Sequence, residues 1–240
     1  MNENHLTEQI LLDLQALADP KKAEFLPKFF KVGPGQYGEG DLFMGVTVPH
    51  QRKIATKYWK EISKEALSQL LHSPYHEARL TALFVLVKKF EKAKSDTEKQ
   101  DWMEFYLKHR SGVNSWDLVD SSAPKILGEW LFDKNRSLLF DFATTGTLWE
   151  KRMAMISTLY FIRKMDFEDT FKIAEILLRD SHDLIHKVIG WMIREVGNRD
   201  MDIAFAFLKK HYKIMPRTML RYAIEKNDPD VREAFLKGAI

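Results

Sequence analysis

The sequence predicts an all-α fold of stacked helix pairs, and three observations carry that prediction. Apolar residues recur at intervals of three and four along nearly the whole chain, most clearly in residues 80–87 and 184–196, which is the period of an amphipathic helix. Strict alternation over the length of a strand is confined to one short run, residues 43–48. Residue pairs that end helices interrupt the pattern at intervals. These pairs are Asp19-Pro20, Ser73-Pro74, Ser111-Gly112, Thr145-Gly146, Gly197-Asn198 and Asp228-Pro229.

The predicted helices also recur at a regular distance. A period of this kind suits stacked helix pairs of the HEAT class, at roughly 40–47 residues, or of the TPR class, near 34. No TPR consensus is evident, so the pattern favours an α-solenoid of HEAT-like repeats in one domain, residues 1–240, with a concave face where extended ligands bind. The second helices of successive pairs are predicted to begin near Tyr75, Asn114, Thr147, Asp183 and Met215, which lie 39, 33, 36 and 32 residues apart.

Composition narrows the class of protein. The chain has 240 residues, of which 45% are hydrophobic and 30% charged, enough for one continuous core with a solvated surface. No apolar stretch approaches the roughly 18 residues of a membrane-spanning helix, and the polar start of the chain is unlike a secretory signal. The absence of cysteine excludes disulfides, thiol nucleophiles and Cys-based metal sites. We therefore expect a cytoplasmic protein, whose net charge of +3 permits nucleic-acid binding.

One long irregular stretch, residues 32–49, is rich in glycine. Residues 33–38, GPGQYG, match the G-x-G-x-x-G pattern, but a dinucleotide fingerprint needs a strand before it and a helix after it. Here a helix is predicted to precede it and Pro34 lies inside it. A functional loop is therefore the preferred interpretation, in which Tyr37 and Phe43 dock the loop or contact a ligand.

Two histidine pairs have a spacing of four. His182 and His186 lie on a predicted helix, whereas Pro74 separates His72 from His76. Neither pair has an evident third ligand or the glutamate of an H-E-x-x-H motif. Surface or helix-capping roles are therefore preferred, and no metal site is expected.

Trp116 and Asp120 are four residues apart and so share one face of a helix. Asp117 points elsewhere and would cap or charge the start of that helix. One interpretation is a functional tryptophan–carboxylate pair. The other is an ordinary first helical turn with a tryptophan in the core.

Two further helices place cations beside apolar residues. Arg152 lies on or beside an apolar stripe, where a cation is costly unless it pairs with a buried carboxylate or faces a polyanion. Trp191 shares a face with Lys187 and Arg194, which suits a phosphate-bearing ligand with a surface for stacking. The alternative for Trp191 is a ring that covers the edge of the core between solvated charges.

Equivalent positions of a solenoid line one face, and here they carry cations, two tryptophans and one carboxylate. This combination suits a concave face that binds DNA. A carboxylate that faces phosphates is electrostatically unfavourable and needs another purpose, such as stabilising a cationic transition state. The residues of this face are Trp116, Asp120, Arg152, Lys187, Trp191, Arg194, Arg217 and Arg221.

Four segments in order resemble the AlkD-type DNA alkylation repair family of HEAT-like DNA glycosylases. They are SWDLVD at residues 115–120, WEKR at 149–152, IGWMIRE at 189–195 and RYAI at 221–224. The resemblance covers residues 29 to 225, most of the chain. It implies a monofunctional glycosylase of base excision repair, which uses water and no cofactor. Such enzymes remove cationic N3- and N7-alkylated purines, such as 3-methyladenine and 7-methylguanine, from duplex DNA without extruding the lesion.

The resemblance also assigns residues. Asp120 corresponds to the catalytic aspartate, Trp116 and Trp191 to the tryptophans at the lesion, and Arg152 to the active-site arginine. Arg194 corresponds to a DNA-contacting arginine, and Tyr37 to the tyrosine that precedes the family's Phe-x-Gly segment. Lys187, Arg217 and Arg221 are further DNA-binding expectations from the repeat pattern.

Two other functions remain open alongside a monomeric enzyme acting on alkylated duplex DNA. The first is a noncatalytic HEAT-like protein that binds damaged or structured DNA. The second is a peptide-binding scaffold, which a cationic and aromatic face favours less. Retention of Asp120 favours the enzyme over the noncatalytic binder.

Overall fold

The structure is a computed structural model that describes residues 3–240, with side chains from residue 5 onward. The described chain is helical, with no strand; Leu42 and Tyr75 form an isolated parallel β-bridge within it. None of its helices is both long and apolar enough to cross a membrane. The helices are α1 (Glu3–Gln15), α2 (Pro20–Phe25), α3 (Pro27–Phe30), α4 (Val48–Tyr58), α5 (Lys64–Leu71), α6 (His76–Lys92), α7 (Asp96–Lys108), α8 (Trp116–Ala123), α9 (Glu129–Leu131), α10 (Ser137–Thr145), α11 (Leu148–Arg163), α12 (Glu168–Leu177), α13 (Asp183–Gly197), α14 (Met201–His211), α15 (Arg217–Ala223) and α16 (Pro229–Lys237), with a 3-10 turn at Arg110–Gly112 and a π-helical turn at Pro124–Gly128.

The predicted starts of the second helices are confirmed to within two residues, at His76, Trp116, Leu148, Asp183 and Arg217. The start of α11 shows why such positions are readable from sequence. Thr147 accepts a hydrogen bond from the Glu150 N–H, and the Glu150 carboxylate accepts one from the Thr147 N–H. This capping box satisfies donors that the first helical turn leaves without partners, and its residue types are local in sequence.

The chain forms two compact units, Met1–Ser122 and Ala123–Ile240. In the first unit α4 and α5 pack against α6, and α1 packs against α4 and α5. Helix α6 is the centre of this unit, because residues 76–87 are all buried. Its apolar side chains form the core, while its three charged or imidazole side chains near the start, His76, Glu77 and Arg79, find partners on other segments.

In the second unit α11 packs against α10, α12 and α13, and α13 packs against α14 and α15. Gly190 allows the close approach of α13 to α15, since a Cβ atom at that position would lie 2.4 Å from the Met219 carbonyl oxygen. Glycine in a helix interior costs up to about 1 kcal/mol relative to alanine. The packing of two helices therefore decides the residue at this position, rather than helix propensity.

The run at residues 43–48 does not form a strand. Gly45 has φ +81°, a left-handed conformation that glycine adopts without strain. A Cβ atom there would lie 2.2 Å from the Asp19 carbonyl oxygen. Met44, Gly45 and Val46 are buried in succession and Thr47 is the extended N-cap residue of α4, so the run is a packed loop that leads into a helix.

Candidate functional site

Trp116 is the first residue of α8 and Asp120 follows one helical turn later; both are half-buried. The Trp116 ring stacks on Phe30 at the end of α3, with ring centroids 5.6 Å apart and planes inclined by 10°. The sequence left open a functional pair or a first turn with a core tryptophan. Trp116 does open a helix, but part of its surface stays accessible.

Two more rings complete an aromatic cluster of Phe30, Phe43, His76 and Trp116. The His76 ring lies 4.6 Å from Phe30 and stacks on Phe43 at 5.1 Å, centroid to centroid. Phe30 and Phe43 are themselves 5.1 Å apart. Phe43 therefore docks the glycine-rich loop onto α6, one of the two roles expected for it.

His76 is buried, with 3% of its side chain exposed, and has a carboxylate on each side. Its Nε2 lies 2.8 Å from Asp117 Oδ2, and its Nδ1 lies 3.5 Å from Asp41 Oδ2. Burial lowers the pKa of His76, but the hydrogen bonds to both aspartates and the charge of Asp117 outweigh burial and raise the pKa to about 9. His76 is therefore an imidazolium at neutral pH.

Glu77 and Arg79 join the same loop to the start of α6. The Glu77 carboxylate accepts hydrogen bonds from the Met44 and Gly45 N–H groups, at 2.8 to 3.1 Å. Arg79 pairs with Asp41 and donates to the Ser73 carbonyl oxygen. These contacts were not predicted from the sequence. The sequence does contain an indication of them, because charged residues stand at the start of its most apolar helical stretch. A charged side chain that is buried there needs a partner.

The charge of Asp120 affects the pKa of Tyr106, a buried tyrosine on α7. The Ser122 hydroxyl donates to the Leu118 carbonyl oxygen at 2.6 Å, so the Tyr106 hydroxyl, 3.0 Å away, donates to Ser122. Burial raises the pKa of Tyr106, and the negative charge of Asp120 raises it further. Tyr106 thus anchors the buried side of α8, and the Asp120 carboxylate lies close enough to act on it.

Tyr37 lies half-buried on the glycine-rich loop, where its hydroxyl donates to the Phe29 carbonyl oxygen at 3.2 Å. This bond holds the ring against the end of α3. Tyr37 therefore has a defined position on the surface of the first unit.

In the second unit Arg152 is buried, with 4% exposed. Its Nη1 donates to the Leu184 carbonyl oxygen at 2.7 Å. This contact links α11 to the first turn of α13. A cation placed on an apolar helix face thus has a backbone acceptor in the folded protein.

The α13 cations and tryptophan share a face and each contacts an acidic residue. Lys187 Nζ lies 2.8 Å from Asp183, and Trp191 Nε1 donates to Glu195 at 3.3 Å. Arg194 forms an ion pair with Glu225. All three side chains are half-buried, so a polyanion would compete with these carboxylates for them.

Helix α15 carries the last two predicted cations. Arg217 and Arg221 are exposed and one turn apart. Arg217 Nη1 donates to the Leu236 carbonyl oxygen at 2.7 Å. Helix α15 packs against α13, so the second unit brings the cation-bearing helices together.

His182 and His186 make local contacts at the start of α13. His182 is the N-cap residue of α13 and its Nδ1 accepts a hydrogen bond from the Leu184 N–H. The His186 ring contacts the Asp180 carbonyl oxygen. Between residues 5 and 240 no three His, Asp or Glu side chains are grouped as metal ligands. The predicted capping role is confirmed for His182.

Comparison with known proteins identifies the family. The family model described as DNA alkylation repair enzyme matches residues 10–226. A solved structure described as a predicted DNA alkylation repair enzyme from Enterococcus faecalis is 16% identical, with a TM-score of 0.68 over 88% of this chain and 97% of that one. No curated protein matches the sequence. The structural likeness shows the fold, the predicted all-α solenoid of helical repeats.

The family match covers nearly the whole chain, including both compact units and the two helices, α8 and α13, that carry the residues of interest. The chain therefore belongs to the DNA alkylation repair enzyme family.

Proposed function

We propose that this protein is a monofunctional DNA glycosylase that removes positively charged N3- and N7-alkylated purines from duplex DNA. The observation that supports this most is the position of Asp120, half-buried and one helical turn after the half-buried Trp116 ring. A carboxylate beside a stacking surface suits a reaction that develops positive charge on a sugar.

The proposed reaction breaks the bond between C1′ of the deoxyribose and the purine nitrogen. An alkylated purine carries a positive charge, so it accepts the electron pair of this bond and leaves as a neutral base without prior protonation. Positive charge develops on the sugar, where Asp120 stabilises it. A water oxygen, positioned by Asp120, then forms the new bond to C1′ and releases its proton to the carboxylate or to solvent.

Other residues would hold the substrate. The faces of Trp116 and Trp191 would pack on the sugar and attract its cationic charge. Arg152 would complete the active site. Cations would contact phosphates and set the register without reading sequence. The proposed DNA-binding residues are Tyr37, Lys187, Arg194, Arg217 and Arg221. The resemblance implies that no cofactor is needed, and the sequence itself favours a monomer in the cytoplasm without a metal site.

The test is release of 7-methylguanine and 3-methyladenine from methylated duplex DNA. We expect release by the wild type and none by Asp120→Asn, with DNA binding kept or strengthened because a negative charge is removed. Asp141→Asn, which changes an exposed aspartate on α10, is the matched control and should release base normally. Equal release by Asp120→Asn and wild type would refute the catalytic assignment. Binding without release by any variant would indicate a noncatalytic DNA-binding protein.

A further inference from the structure

We infer that His76 is a positioning residue, which fixes the first turn of α8 through Asp117 and so sets the orientation of Trp116 and Asp120. Its consequence for catalysis rests on the proposed glycosylase function. The mechanical part of the inference, a clamp between α6 and α8, does not.

Asp117 is the link between the two helices. One carboxylate oxygen lies 2.8 Å from His76 Nε2, and the other accepts a hydrogen bond from the Leu118 N–H at 2.9 Å. Asp117 directly follows Trp116 and precedes Asp120 by three residues. A bond that holds this carboxylate therefore holds the helical turn from which both functional side chains project.

The glycine-rich loop holds His76 on the side opposite Asp117. His76 Nδ1 faces Asp41, whose carboxylate is also paired with Arg79. The His76 N–H donates to the Leu42 carbonyl oxygen at 2.8 Å, and the Leu42 N–H donates to the Pro74 carbonyl oxygen at 3.0 Å. Both ring nitrogens and the backbone of His76 are thus fixed, so the imidazole cannot turn without breaking several bonds.

Stacked rings provide a second connection from His76 to Trp116. Phe30 contacts both, at centroid distances of 4.6 Å to His76 and 5.6 Å to Trp116. Phe43 covers the imidazole from another side. An imidazolium between aromatic faces is favoured by their quadrupoles, and its charge strengthens the hydrogen bond to Asp117.

Five charged groups lie around the imidazole or line the cavity beside it. Asp41 on the loop and Asp117 on α8 favour the imidazolium, and Arg79 on α6 opposes it. Glu77 on α6 and Lys22 on α2 line a cavity of about 150 Å³ next to the ring. Glu77 is bound to backbone N–H groups, and Lys22 is paired with Asp19. Loss of the His76 proton would therefore leave Asp117 without its cationic partner and one ring N–H for two carboxylates, which weakens the hold on the first turn of α8.

Fluorine NMR of protein labelled with 5-fluorotryptophan tests the clamp without relying on activity. The chain has six tryptophans, and Trp116→Phe assigns the Trp116 signal. We expect that signal to shift between pH 7 and 10 with a midpoint near 9 in the wild type. The same midpoint in His76→Gln, or a Trp116 signal in the wild type that does not change with pH, would overturn the inference. The wild-type titration alone can overturn the inference, so the test holds even if His76→Gln folds poorly.

His72→Gln is the matched control, since it changes an exposed histidine four residues earlier and should leave the Trp116 titration unchanged. The base-release assay then tests the catalytic consequence. We expect His76→Gln to release base about 10- to 100-fold more slowly, to bind DNA normally and to lose the alkaline limb of the wild-type pH profile. Normal release with a wild-type pH profile would contradict positioning. If the wild type itself released no base, the proposed glycosylase function would fail. The fluorine titration would still test whether His76 holds the first turn of α8.

Discussion

Asp41 and Arg79 form an ion pair inside the first unit, with Oδ2 2.6 Å from Nη2 and both side chains less than a tenth exposed. The pair joins the glycine-rich loop to α6. Because Asp41 also faces His76, one carboxylate serves two cations. The pair therefore supports both the loop and the imidazolium beside it.

We expect Asp41→Asn to destabilise the protein by about 3–5 kcal/mol, because it leaves the buried Arg79 cation without its charged partner. Urea unfolding followed by circular dichroism measures this change. Glu168→Gln breaks the exposed pair with Lys172 and should leave the urea midpoint nearly unchanged. Similar midpoints for the two variants would show that Arg79 is stabilised in some other way.

The charge of His76 predicts how stability depends on pH. Its pKa is about 9 in the folded protein against about 6.5 in the unfolded chain, so the folded state binds the proton more tightly. The resulting stabilisation, on the order of 3 kcal/mol, is fully present below pH 6.5 and is lost as pH rises through 9. The difference in unfolding free energy between wild type and His76→Gln should therefore shrink over that range. A difference that stays constant from pH 6 to 10 would argue against a protonated His76.

A comparison of Gly35 with Gly45 distinguishes the cost of backbone strain from the cost of steric overlap, because both have positive φ. Gly45 and Gly35 have φ of +81° and +73°, but nothing lies within 4 Å of a Cβ atom at Gly35. Gly35→Ala should cost about 1–2 kcal/mol from left-handed strain alone. Gly45→Ala should cost clearly more, since its Cβ meets the Asp19 backbone. Thermal unfolding of both variants checks the order, and equal losses would exclude the steric contribution.

Gly190→Ala should destabilise the second unit although alanine favours helices. Its Cβ would lie 2.5 Å from Tyr222 Cβ and 2.4 Å from the Met219 carbonyl oxygen, so α13 and α15 would have to separate. Overpacking of this kind costs about 1–3 kcal/mol. Gly197→Ala, where the nearest atom is 3.4 Å away, should be neutral or stabilising by up to about 1 kcal/mol. Calorimetry measures the stability of both variants. If Gly197→Ala were the more destabilising of the two, the close contact of α13 with α15 at Gly190 would be ruled out.

Glu225 forms an ion pair with Arg194, so under the proposed function it would compete with DNA phosphate for that arginine. Glu225→Gln should therefore tighten binding to duplex DNA several-fold, and should steepen the salt dependence as Arg194 becomes available to phosphate. Fluorescence anisotropy at several salt concentrations measures both effects. Glu168→Gln removes the same charge on α12 and is the control. Equal effects of the two substitutions would indicate a general change in net charge rather than release of Arg194.

Local patterns explain what the sequence predicted correctly. The start of α11 depends on Thr147 and Glu150, which stand three residues apart, and the pairing of Trp116 with Asp120 on one face follows from helical geometry alone. Asp117 shows where such reasoning ends. It was expected to cap or charge the start of a helix and does lie in the first turn of α8, but its bond to His76 on another helix was not predicted. That contact depends on how α6, α8 and the loop pack together, which no local spacing encodes.

The charges near the start of α6 illustrate the same limit. Arg79 stands at the start of a strongly apolar helix, where it is buried and paired with Asp41. Burial of a charge can be suspected from the apolar residues that follow it. Its partner could not be named, because Asp41 lies in a loop without a regular period.

Side-chain oxygen atoms accept hydrogen bonds from several backbone N–H groups of the glycine-rich loop. Gln36 and Glu39 side chains accept from the Gly33 and Gly35 N–H groups, and Glu77 accepts from two more N–H groups farther along the loop. Clustered backbone N–H groups of this kind bind phosphate in nucleotide-binding proteins. Here the chain's own oxygen atoms already occupy them. A segment that matches a phosphate-binding motif in letters is thus closed to phosphate, and its donors serve to hold the loop in place.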